Sequence, residues 1–464
     1  MKLPLTTLAQ CTDTAWLVGG AVRDRLLGRS TGDLDVVVGG DEPYRLARAL
    51  ARVTGGHAFK LSEAFGVWRV VAPDGDWQLD LLPLSGETIE SDLAQRDFTI
   101  NAIAEPLDGG GYVDPFRGVE DLRARRLRMV SARAFAEDPL RTLRLARLVA
   151  ELGFEVDRAT AAAASANSGA LVGVAAERIF GELRRIIVSD GALDGLAMMD
   201  ELGATAVVLP EVADLRGVEQ SRYHHLDVYD HTRAVLAELI ELERDPEPVF
   251  GEHAEGVSAV LAEPLANELS RAQALRFGAL FHDIAKPSTR RVTPEGRVTF
   301  IGHDDLGARM AGAALQRLRA GERLCEYVTA LTRNHLRLGF LVHEMPLSRH
   351  AIYGYLRACE PVAVEVTALS VADRLATRGA GSDRAITAHV RLARELIGEA
   401  LAWRADPPRP PVRGDALARA LRLAPGPELG RILEVLTEAR FAGEIDTREQ
   451  AIERAYELLG RLRA

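Results

Sequence analysis

The sequence predicts an α/β domain at the N-terminus, followed by domains that are entirely helical. From residue 1 to about 130, short runs of apolar and β-branched residues alternate with helical patterns, whereas strand signals end near Ala134. At 464 residues, the chain has room for two to four domains. Hydrophobic residues make up 47% and charged residues 27%, which is typical of a globular protein with ample core.

The composition also indicates the cellular compartment and argues against a membrane partner. No apolar run reaches the roughly 20 residues that a membrane-spanning helix needs, and the N-terminus lacks the charged and apolar segments of a secretory signal. The three cysteines, Cys11, Cys325 and Cys359, are far apart, which argues against a disulfide framework. A cytoplasmic protein without a membrane partner is therefore expected.

The charge distribution leaves a nucleic-acid partner open. The net charge of −10, taken alone, disfavours such a partner. Between Arg117 and Arg147, however, there are nine arginines and only four acidic residues. Because lysine occurs only at positions 2, 60 and 286, an arginine cluster is weaker evidence here than in a chain of ordinary composition.

The most informative stretch is Trp16–Val38, in which a short apolar strand, a Gly-Gly turn and a helix lead to Asp33-Leu34-Asp35 at the start of a second strand. Alternate side chains of a strand share a face, so Asp33 and Asp35 are expected to point the same way. Two such carboxylates suit Mg²⁺ held against a phosphate chain. Gly19 and Gly20 would let backbone N–H groups approach those phosphates. Either pattern alone is usually a turn or a cap, but their order together predicts a magnesium and phosphate site.

A third acid lies in the second of two predicted strands. Residues 65–71 and 77–82 have strand character and are separated by the turn Pro73-Asp74-Gly75-Asp76. Asp80 lies within the apolar run QLDLLPL, where an acid is costly unless it is paired or coordinated. We interpret Asp80 as a third catalytic carboxylate, the alternative being an outward-facing strand residue.

Polar groups suited to a nucleotide follow in the run DLAQRDFTINA at residues 92–102. Arg96, Asp97 and Asn101 supply a cation, an acceptor and an amide within a short span. These groups suit a triphosphate, a ribose hydroxyl and a positioning contact, respectively. The alternative is a solvated helix start with Asp97 as its cap.

An acid and an arginine open a predicted helix that runs to about Leu152. Pro139 suits a first helical position and Asp138 suits an N-cap. Asp138 and Arg141 are three residues apart and are expected on one helix face. There, a carboxylate and a guanidinium would match the pairing edge of a base. A helix cap alone is the simpler interpretation.

The motifs GGAVRD, DLD, RDFTINA, VDPFRG, EDPLR and ERIFGEL occur in this order in the first 200 residues. As a set they closely resemble the class II tRNA nucleotidyltransferases (CCA-adding enzymes) and bacterial poly(A) polymerases of the DNA polymerase β superfamily. The resemblance implies an α/β head with a mixed sheet, then all-α neck, body and tail domains that hold the tRNA acceptor end. It also implies CTP and ATP as substrates. The expected domains are a head at 1–130, a neck at 131–215, a helical metal domain at 216–384 and a tail at 385–464.

Roles for individual residues follow from this resemblance by position. Asp33 and Asp35 correspond to the metal-binding catalytic carboxylates, with Mg²⁺ as their expected cofactor. Asp138 and Arg141 would act as the amino-acid template that reads the base of CTP or ATP. The full set expected to bind the nucleotide is Gly19, Gly20, Arg23, Arg96, Asp97, Asn101, Asp138, Arg141 and Arg178.

One segment departs from the family pattern. Many members that add the full CCA carry a longer flexible segment before an RRDFTINA motif. Here only Leu81–Gln95 fills that gap, and Gln95 replaces the usual first Arg. Within the family, a shortened segment is associated with enzymes that add CC and stop. CC-only addition and poly(A) synthesis are therefore alternatives to CCA addition.

A second group of chemistry-bearing residues begins at Tyr223-His224-His225 and ends in VADRLA at residues 371–376. Imidazoles and carboxylates that converge from several helices build sites for a divalent transition metal. Their order resembles that of the HD-domain metal-dependent phosphohydrolases. In that family, the first metal would be ligated by His231, His282, Asp283 and Asp373, and a second would be completed by His303 and His335.

This second group predicts a phosphohydrolase activity. A bound metal would lower the pKa of its water, so hydrolysis of a phosphoester, such as a 2′,3′-cyclic phosphate at a damaged tRNA end, is expected. The chain as a whole could instead be a phosphohydrolase with an RNA-binding head, or a nucleotide-sensing regulator, but the intact DLD and EDPLR motifs disfavour both. Residues 241–270 are expected to form an exposed acidic loop.

Overall fold

The structure, a computed structural model, describes residues 2–12, 14–40, 43–63, 65–220, 225–379 and 381–463. It contains two compact units, residues 1–208 and residues 209–464. The finer division into head, neck, metal domain and tail remains a prediction.

A six-stranded sheet organises the first unit. Its strands are β1 (Ala15–Val18), β2 (Asp33–Val38), β3 (His57–Ser62), β4 (Val67–Val71), β5 (Gln78–Pro83) and β6 (Ala104–Pro106). They lie in the order β3-β4-β5-β2-β1-β6. β2 and β5 run parallel, while the other neighbouring pairs are antiparallel. The predicted α/β head with a mixed sheet is therefore confirmed.

Helices fill the rest of the first unit. They are α1 (Lys2–Ala9), α2 (Gly20–Leu26), α3 (Pro43–Thr54), α4 (Ile89–Leu93), α5 (Gly118–Arg123), α6 (Ala134–Glu137), α7 (Arg141–Leu152), α8 (Arg158–Asn167), α9 (Ala176–Val188), α10 (Ala192–Glu201) and α11 (Ala204–Val208). A short strand pair, β7 (Arg126–Leu127) and β8 (Glu155–Val156), lies among them.

The alternation along β2 directs its two acids away from the main core. Leu34 and Val36 are buried in the large hydrophobic cluster of this unit. Because successive side chains of a strand point to opposite faces, Asp33 and Asp35 lie together on the other face. The sheet thus presents both carboxylates side by side, as the sequence pattern predicts.

The second unit is almost entirely helical. Its helices are α12 (Pro210–Ala213), α13 (Val228–Arg244), α14 (Glu247–Phe250), α15 (Ala254–Ala262), α16 (Arg271–Phe281), α17 (Lys286–Thr289), α18 (His303–Arg317), α19 (Glu322–Asn334), α20 (Arg337–Leu341), α21 (Arg349–Cys359), α22 (Ala363–Ala376), α23 (Ser382–Ala405), α24 (Gly414–Leu421), α25 (Pro427–Phe441) and α26 (Arg448–Arg463). α13 packs against α16 and α22, and α19 packs against α16 and α18. No helix in the described part of the chain is long and apolar enough to span a membrane.

Two expectations about secondary structure are wrong. Residues 241–270 are not an exposed loop, because α14 and α15 lie there and bury Phe250 and Val257 completely. The acidic composition of this segment obscures that apolar face. The chain is also not helical throughout after Ala134, since β8 and the pairs β9 (Pro264–Ala266) with β10 (Leu269–Ser270) and β11 (Arg291–Val292) with β12 (Val298–Thr299) follow. Strands of two or three residues are too short to show a period.

Candidate active sites

The two predicted metal-binding acids lie at the start of β2, next to β5. Asp33 is exposed and Asp35 is partly buried. Asp33 Oδ1 accepts a hydrogen bond from Gln78 Nε2 at 3.1 Å. Burial raises the pKa of Asp35 to about 6; the charge of Arg96 opposes this shift, and the charges of Asp33 and Asp80 add to it. A divalent cation would remove this repulsion, so the pair fits Mg²⁺.

Asp80 lies beside Asp35 in the parallel register of β2 and β5, but it is already paired. Arg69, opposite it on β4, donates from Nε to Oδ1 and from Nη2 to Oδ2, both at 2.7 Å. This bidentate pair engages both oxygens of Asp80. In this arrangement Asp80 acts on Asp35 through its charge, and its role as a metal ligand stays a prediction.

Gly19 makes room for an arginine beside the acids. Its backbone has φ 69° and ψ −137°, a conformation that suits glycine alone. A Cβ at Gly19 would lie 2.9 Å from Arg96 Nη1 and 3.5 Å from Asp35 Oδ2. Arg96 Nη2 donates to Asp92 Oδ2 at 3.2 Å, and its buried Nε has no hydrogen-bond partner among the described residues. A guanidinium with spare donors at this point suits a triphosphate.

Substitution Gly19→Ala is expected to impair the reaction more than the fold. The new Cβ would displace the Arg96 guanidinium, and we expect kcat/KM for nucleotide transfer to fall by about tenfold or more, the effect of losing one charge-assisted hydrogen bond. The matched control is Gly28→Ala, because Gly28 also has a positive φ (71°) but no atom lies within 4 Å of its Cβ position. Equal activity losses in the two variants would contradict this role of Gly19.

Arg23, Asn101 and Asp97 form one hydrogen-bonded chain. Arg23 pairs with Asp24 at 2.9 Å and donates from Nη1 to Asn101 Oδ1 at 2.9 Å. Asn101 Nδ2 donates to Asp97 Oδ1 at 3.0 Å. Burial alone would raise the pKa of Asp97, but the nearby charge of Arg144 and the hydrogen bond from Asn101 lower it overall. Three predicted nucleotide-binding residues are therefore joined, and Asp97 is kept ionised.

Glu182 on α9 continues this network of hydrogen bonds and ion pairs. This connection was not predicted from the sequence. Its carboxylate accepts from Arg147 Nε at 2.6 Å and from Arg144 Nε at 3.3 Å. Arg144 Nη1 in turn lies 3.5 Å from Asp97 Oδ2. The available signals were the position of Glu182 within the ERIFGEL motif and that of Arg144 one helical turn after Arg141.

Asp138 and Arg141, which were predicted to lie side by side, contact different groups. Asp138 Oδ2 accepts from Arg178 Nη2 at 2.8 Å. The guanidinium of Arg141 donates to the carbonyl oxygens of Ala134 and Gln95, at 3.0 and 2.5 Å respectively. The structure therefore brings Asp138 together with Arg178, and Arg141 together with the backbone just before the RDFTINA motif.

The expected Asp138–Arg141 pair on one helix face is wrong in this structure. α7 begins at Arg141, and Asp138 is extended with φ −141° and ψ 99°. The reason is local, because the residue before a proline is driven out of the helical region, and Pro139 follows Asp138. The same extended backbone lets the Asp138 carboxylate reach Arg178 on α9.

The segment before the RDFTINA motif is held in place by its own side chains. Ser85 Oγ donates to Gln95 Oε1 at 3.0 Å, and the Ser85 N–H donates to Asp92 Oδ1 at 3.3 Å. Thr88 and Ser91 form a capping box at the start of α4. The connection is therefore short and anchored at both ends.

The second unit brings the predicted HD-type ligands together around Asp283. His282 Nε2 lies 3.0 Å and His231 Nε2 lies 3.9 Å from Asp283 Oδ2. Asp373 Oδ1 is 3.0 Å from His231 Nε2. One potential ligand atom from each of His231, His282 and Asp283 lies within 4.8 Å of the other two. Of the opening Tyr223-His224-His225, the first two lie outside the described residues and the third is exposed.

The other oxygen of Asp283 serves a second group. His303 Nε2 lies 3.2 Å and His335 Nε2 lies 3.7 Å from Asp283 Oδ1. These three residues also have ligand atoms within 4.8 Å of one another. Asp283 therefore bridges two groups of ligands, an arrangement that suits two metal ions.

Three of these histidines are oriented by their own backbone. In His282, His303 and His335, Nδ1 lies 2.6–2.8 Å from the carbonyl oxygen of the residue three positions earlier. A ring nitrogen bonded to a carbonyl carries the proton, so in a neutral ring the lone pair is on Nε2, which is directed at Asp283. The buried Nε2 of His282, although 3.0 Å from Asp283 Oδ2, makes no hydrogen bond to any described residue. This donor set fits a transition metal.

The electrostatics of this cluster also favour a cation at its centre. Burial alone would raise the pKa of Asp283, but His282 and Lys286 hold it well below its ordinary value. Burial would lower the pKa of His282, yet Asp283 raises it overall. Burial and the charge of His282 lower the pKa of His335 to about 4. Asp283 is therefore kept ionised and His335 neutral, which are the protonation states that a metal requires of these ligands.

A cavity of about 930 Å³ opens over this cluster. Asp283, His303, His335 and Asp373 form part of its wall. Lys286, which follows the His-Asp pair in the motif HDIAK, donates to Asp283 Oδ2 at 2.7 Å. The predicted metal ligands are thus accessible from a space large enough for a substrate.

Three family models match the chain. The model described as "Poly A polymerase head domain" matches residues 15–81 and 78–128, the model "Probable RNA and SrmB- binding site of polymerase A" matches residues 153–215, and the model "HD domain" matches residues 228–378.

Relatives match nearly the whole chain, as two of them illustrate. The "A-adding tRNA nucleotidyltransferase" of Deinococcus radiodurans is 34% identical over 443 residues, covering 94% of both chains. The "CC-adding tRNA nucleotidyltransferase" of Thermus thermophilus is 36% identical over 446 residues, covering 94% of this chain and 92% of the relative. A solved "CCA-adding enzyme apo form I" has the same fold, with a TM-score of 0.65 at 20% identity over 98% of this chain and 92% of that one. The resemblance indicated by the motifs is therefore confirmed.

Proposed function

Because the chain belongs to the tRNA nucleotidyltransferase family, we propose that it extends the 3′ end of tRNA with C, A or both, using CTP and ATP and releasing pyrophosphate. The observation that carries this proposal is the juxtaposition of Asp33 and Asp35 with Gly19 and Arg96 on one side of the sheet. This juxtaposition supports the proposal because two carboxylates and an arginine with spare donors suit a metal-bound nucleotide triphosphate.

In this reaction the 3′-hydroxyl oxygen of the RNA loses its proton to solvent and bonds to the α-phosphorus. The bond from the α-phosphorus to the oxygen that bridges the α- and β-phosphates breaks, and pyrophosphate leaves. Asp33 and Asp35 would hold Mg²⁺, which when bound stabilises charge on the attacking and leaving oxygens. Arg96 would bind the triphosphate. Asp97 would accept a ribose hydroxyl, and Asn101 would hold Asp97 in position through the hydrogen bond between them.

Base reading is assigned to Asp138 and Arg141, with Arg178 as a third member. The carboxylate of Asp138 offers acceptors, and the two guanidinium groups offer donors, to the pairing edge of a base. The Arg178–Asp138 contact supports this assignment because it holds the carboxylate in a single orientation.

The segment Leu81–Gln95 favours the addition of CC over the other possible products. Its shortness matches the pattern associated with CC-adding members, and its anchoring by Ser85 leaves no long loop. The two relatives described above are named for adding A and for adding CC, so each is named for one part of the CCA sequence. Complete CCA addition and poly(A) synthesis are the alternatives.

The decisive experiment is extension of tRNA that ends at the discriminator base, with Mg²⁺ and with CTP and ATP supplied separately and together. We expect two C residues from CTP and no further growth when ATP is added. Products extended by CCA, by A alone or by a long A tract would each identify an alternative. Absence of any extension would contradict the proposed nucleotidyl transfer.

A metal-dependent phosphohydrolase activity is the second candidate function. The observation that favours it is the pair of ligand groups bridged by Asp283 beneath a 930 Å³ cavity. In hydrolysis of a 2′,3′-cyclic phosphate, a water oxygen bonds to phosphorus, one P–O bond to the ribose breaks, and the freed ribose oxygen takes the proton. A divalent transition metal held by these ligands would supply activated water.

A further inference from the structure

The cavity over the Asp283 cluster carries two arginines that no described carboxylate neutralises. Arg374 follows Asp373 on α22, and its buried Nε has no hydrogen-bond partner among the described residues. Arg297 reaches the same wall from the turn between β11 and β12. Neither arginine forms an ion pair with a carboxylate within the described parts of the chain. A guanidinium with unused donors in a cavity is suited to an anionic ligand.

The remaining charged groups of the wall do not account for these arginines. Lys286 is already engaged, since its Nζ lies 2.7 Å from Asp283 Oδ2 and donates to Gln220 at 2.7 Å. Asp283 and Asp373 belong to the metal cluster, which leaves Asp304 as the other acid of the wall. Outside the cluster, the cavity wall therefore carries one carboxylate and two arginines. The net charge of that part of the wall is positive.

Apolar surface lies in the same space. Phe300 and Phe340 line the cavity, and Phe340 is 66% exposed. An exposed aromatic face in a pocket, such as that of Phe340, suits stacking with a nucleobase. The volume of about 930 Å³ is near the upper end of the roughly 300–1,000 Å³ range of ligand pockets, which is far more than a lone phosphate requires.

From this arrangement we infer that the ligand of the cavity carries two phosphates, one hydrolysed at the Asp283 cluster and a second bound by Arg374 and Arg297, with its base against the aromatic residues. The inference rests on the proposed phosphohydrolase function. The ligand class is a nucleoside 2′,3′-cyclic phosphate that also bears a 5′-phosphate, either as a free nucleotide or as the last residue of an RNA strand. Hydrolysis opens the cyclic ester and leaves the 5′-phosphate unchanged.

The test compares three substrates in the presence of a divalent transition metal: a nucleoside 2′,3′-cyclic phosphate, the same compound with a 5′-phosphate, and a dinucleotide that ends in the cyclic phosphate. We expect the 5′-phosphate to raise kcat/KM by about tenfold or more, the effect of one charge-assisted contact. In Arg374→Gln that ratio should collapse towards one. The matched control is Arg378→Gln, at an exposed arginine just after the end of α22 that is not on the cavity wall, and it should keep the ratio.

Each outcome of the comparison has a defined meaning. Equal kcat/KM with and without the 5′-phosphate would overturn the inference while leaving the phosphohydrolase function intact. A preference for the dinucleotide over the 5′-phosphorylated nucleotide would support it and assign RNA ends as the source, and the reverse order would support it and assign free nucleotides.

A binding measurement separates this inference from the activity on which it rests. Calorimetry on the full chain would compare a nucleoside 3′,5′-bisphosphate with the matching nucleoside 3′-phosphate. Tighter binding of the bisphosphate, lost in Arg374→Gln and kept in Arg378→Gln, supports the second phosphate site even when no substrate is hydrolysed. Equal binding of the two ligands overturns it.

Discussion

Asp35→Asn is expected to abolish nucleotidyl transfer while stabilising the metal-free protein. Transfer should fall by roughly a thousandfold, because charge stabilisation by a bound metal contributes several kcal/mol and each 1.36 kcal/mol corresponds to tenfold in rate. The loss of transfer is measured as the rate of tRNA extension with saturating CTP and Mg²⁺. In the variant, an amide NH2 group replaces one carboxylate oxygen of similar size. The packing of the neighbouring residues is therefore expected to be retained.

The gain in stability follows from the pKa of Asp35, which is about 6 in the folded protein and 3.8 ordinarily. Between these values the folded state binds the proton more tightly than the unfolded state, so the free energy of unfolding falls as pH rises from about 4 to 6. Asparagine does not ionise and avoids this loss. At pH 7.5 without Mg²⁺ we expect a gain of about 2–3 kcal/mol in denaturant unfolding, since one pKa unit corresponds to about 1.36 kcal/mol.

Mg²⁺ and a surface control complete this test. Mg²⁺ should stabilise the wild type and not Asp35→Asn, because a ligand that binds only the folded state raises its stability. Asp76→Asn, in the exposed turn before β5, should change neither activity nor the response to Mg²⁺. An Asp35→Asn protein that still extends tRNA at the wild-type rate would refute the role of Asp35.

His282→Gln is expected to remove metal binding and phosphohydrolysis from the second unit while leaving tRNA extension unchanged. Loss of a direct ligand should weaken transition-metal affinity by about 100-fold or more, given that outer partners alone change it 10- to 100-fold. His282 is preferred over Asp283 as the target, because Asp283→Asn would leave Lys286 as a buried unpaired cation, a defect that costs about 3–5 kcal/mol.

Three quantities are measured on the same preparation. They are the metal content after dialysis, the hydrolysis of a cyclic phosphate to a phosphate monoester, and the extension of tRNA. His225→Gln, at an exposed histidine near the start of this pattern, is the matched control and should retain all three. If His282→Gln loses tRNA extension together with hydrolysis, the two chemistries are not independent. Metal content equal to that of the wild type would exclude His282 as a ligand.

Features that depend on one strand or one short motif could be predicted from the sequence. The shared face of Asp33 and Asp35 follows from strand alternation alone. The order of the His and Asp residues, above all the adjacent His282-Asp283 pair, indicated which side chains lie together around Asp283. In both cases the relevant neighbours are one or two positions apart, so local geometry determines the arrangement.

Features that depend on pairing between distant segments could not be predicted. Arg69 meets Asp80 only because β4 and β5 pair in one particular register. Asp138 was assigned to Arg141 by helical spacing, but the constraint of Pro139 on the preceding residue prevailed, and Arg178, forty positions later, became its partner. Register and long-range contacts are set by the packed structure and leave no period in the sequence.

The backbone anchoring of His282, His303 and His335 has a consequence for how this protein responds to metal supply. Each ring is held by a carbonyl of its own chain segment, so the coordination sphere is preorganised before any ion arrives. Loss of the ion should leave the helical scaffold standing, in contrast to small zinc domains whose folding free energy comes from the metal. If these residues bind a metal as predicted, different divalent ions would exchange at the same ligands, and the proposed hydrolysis would follow the metal supplied without any refolding of the chain.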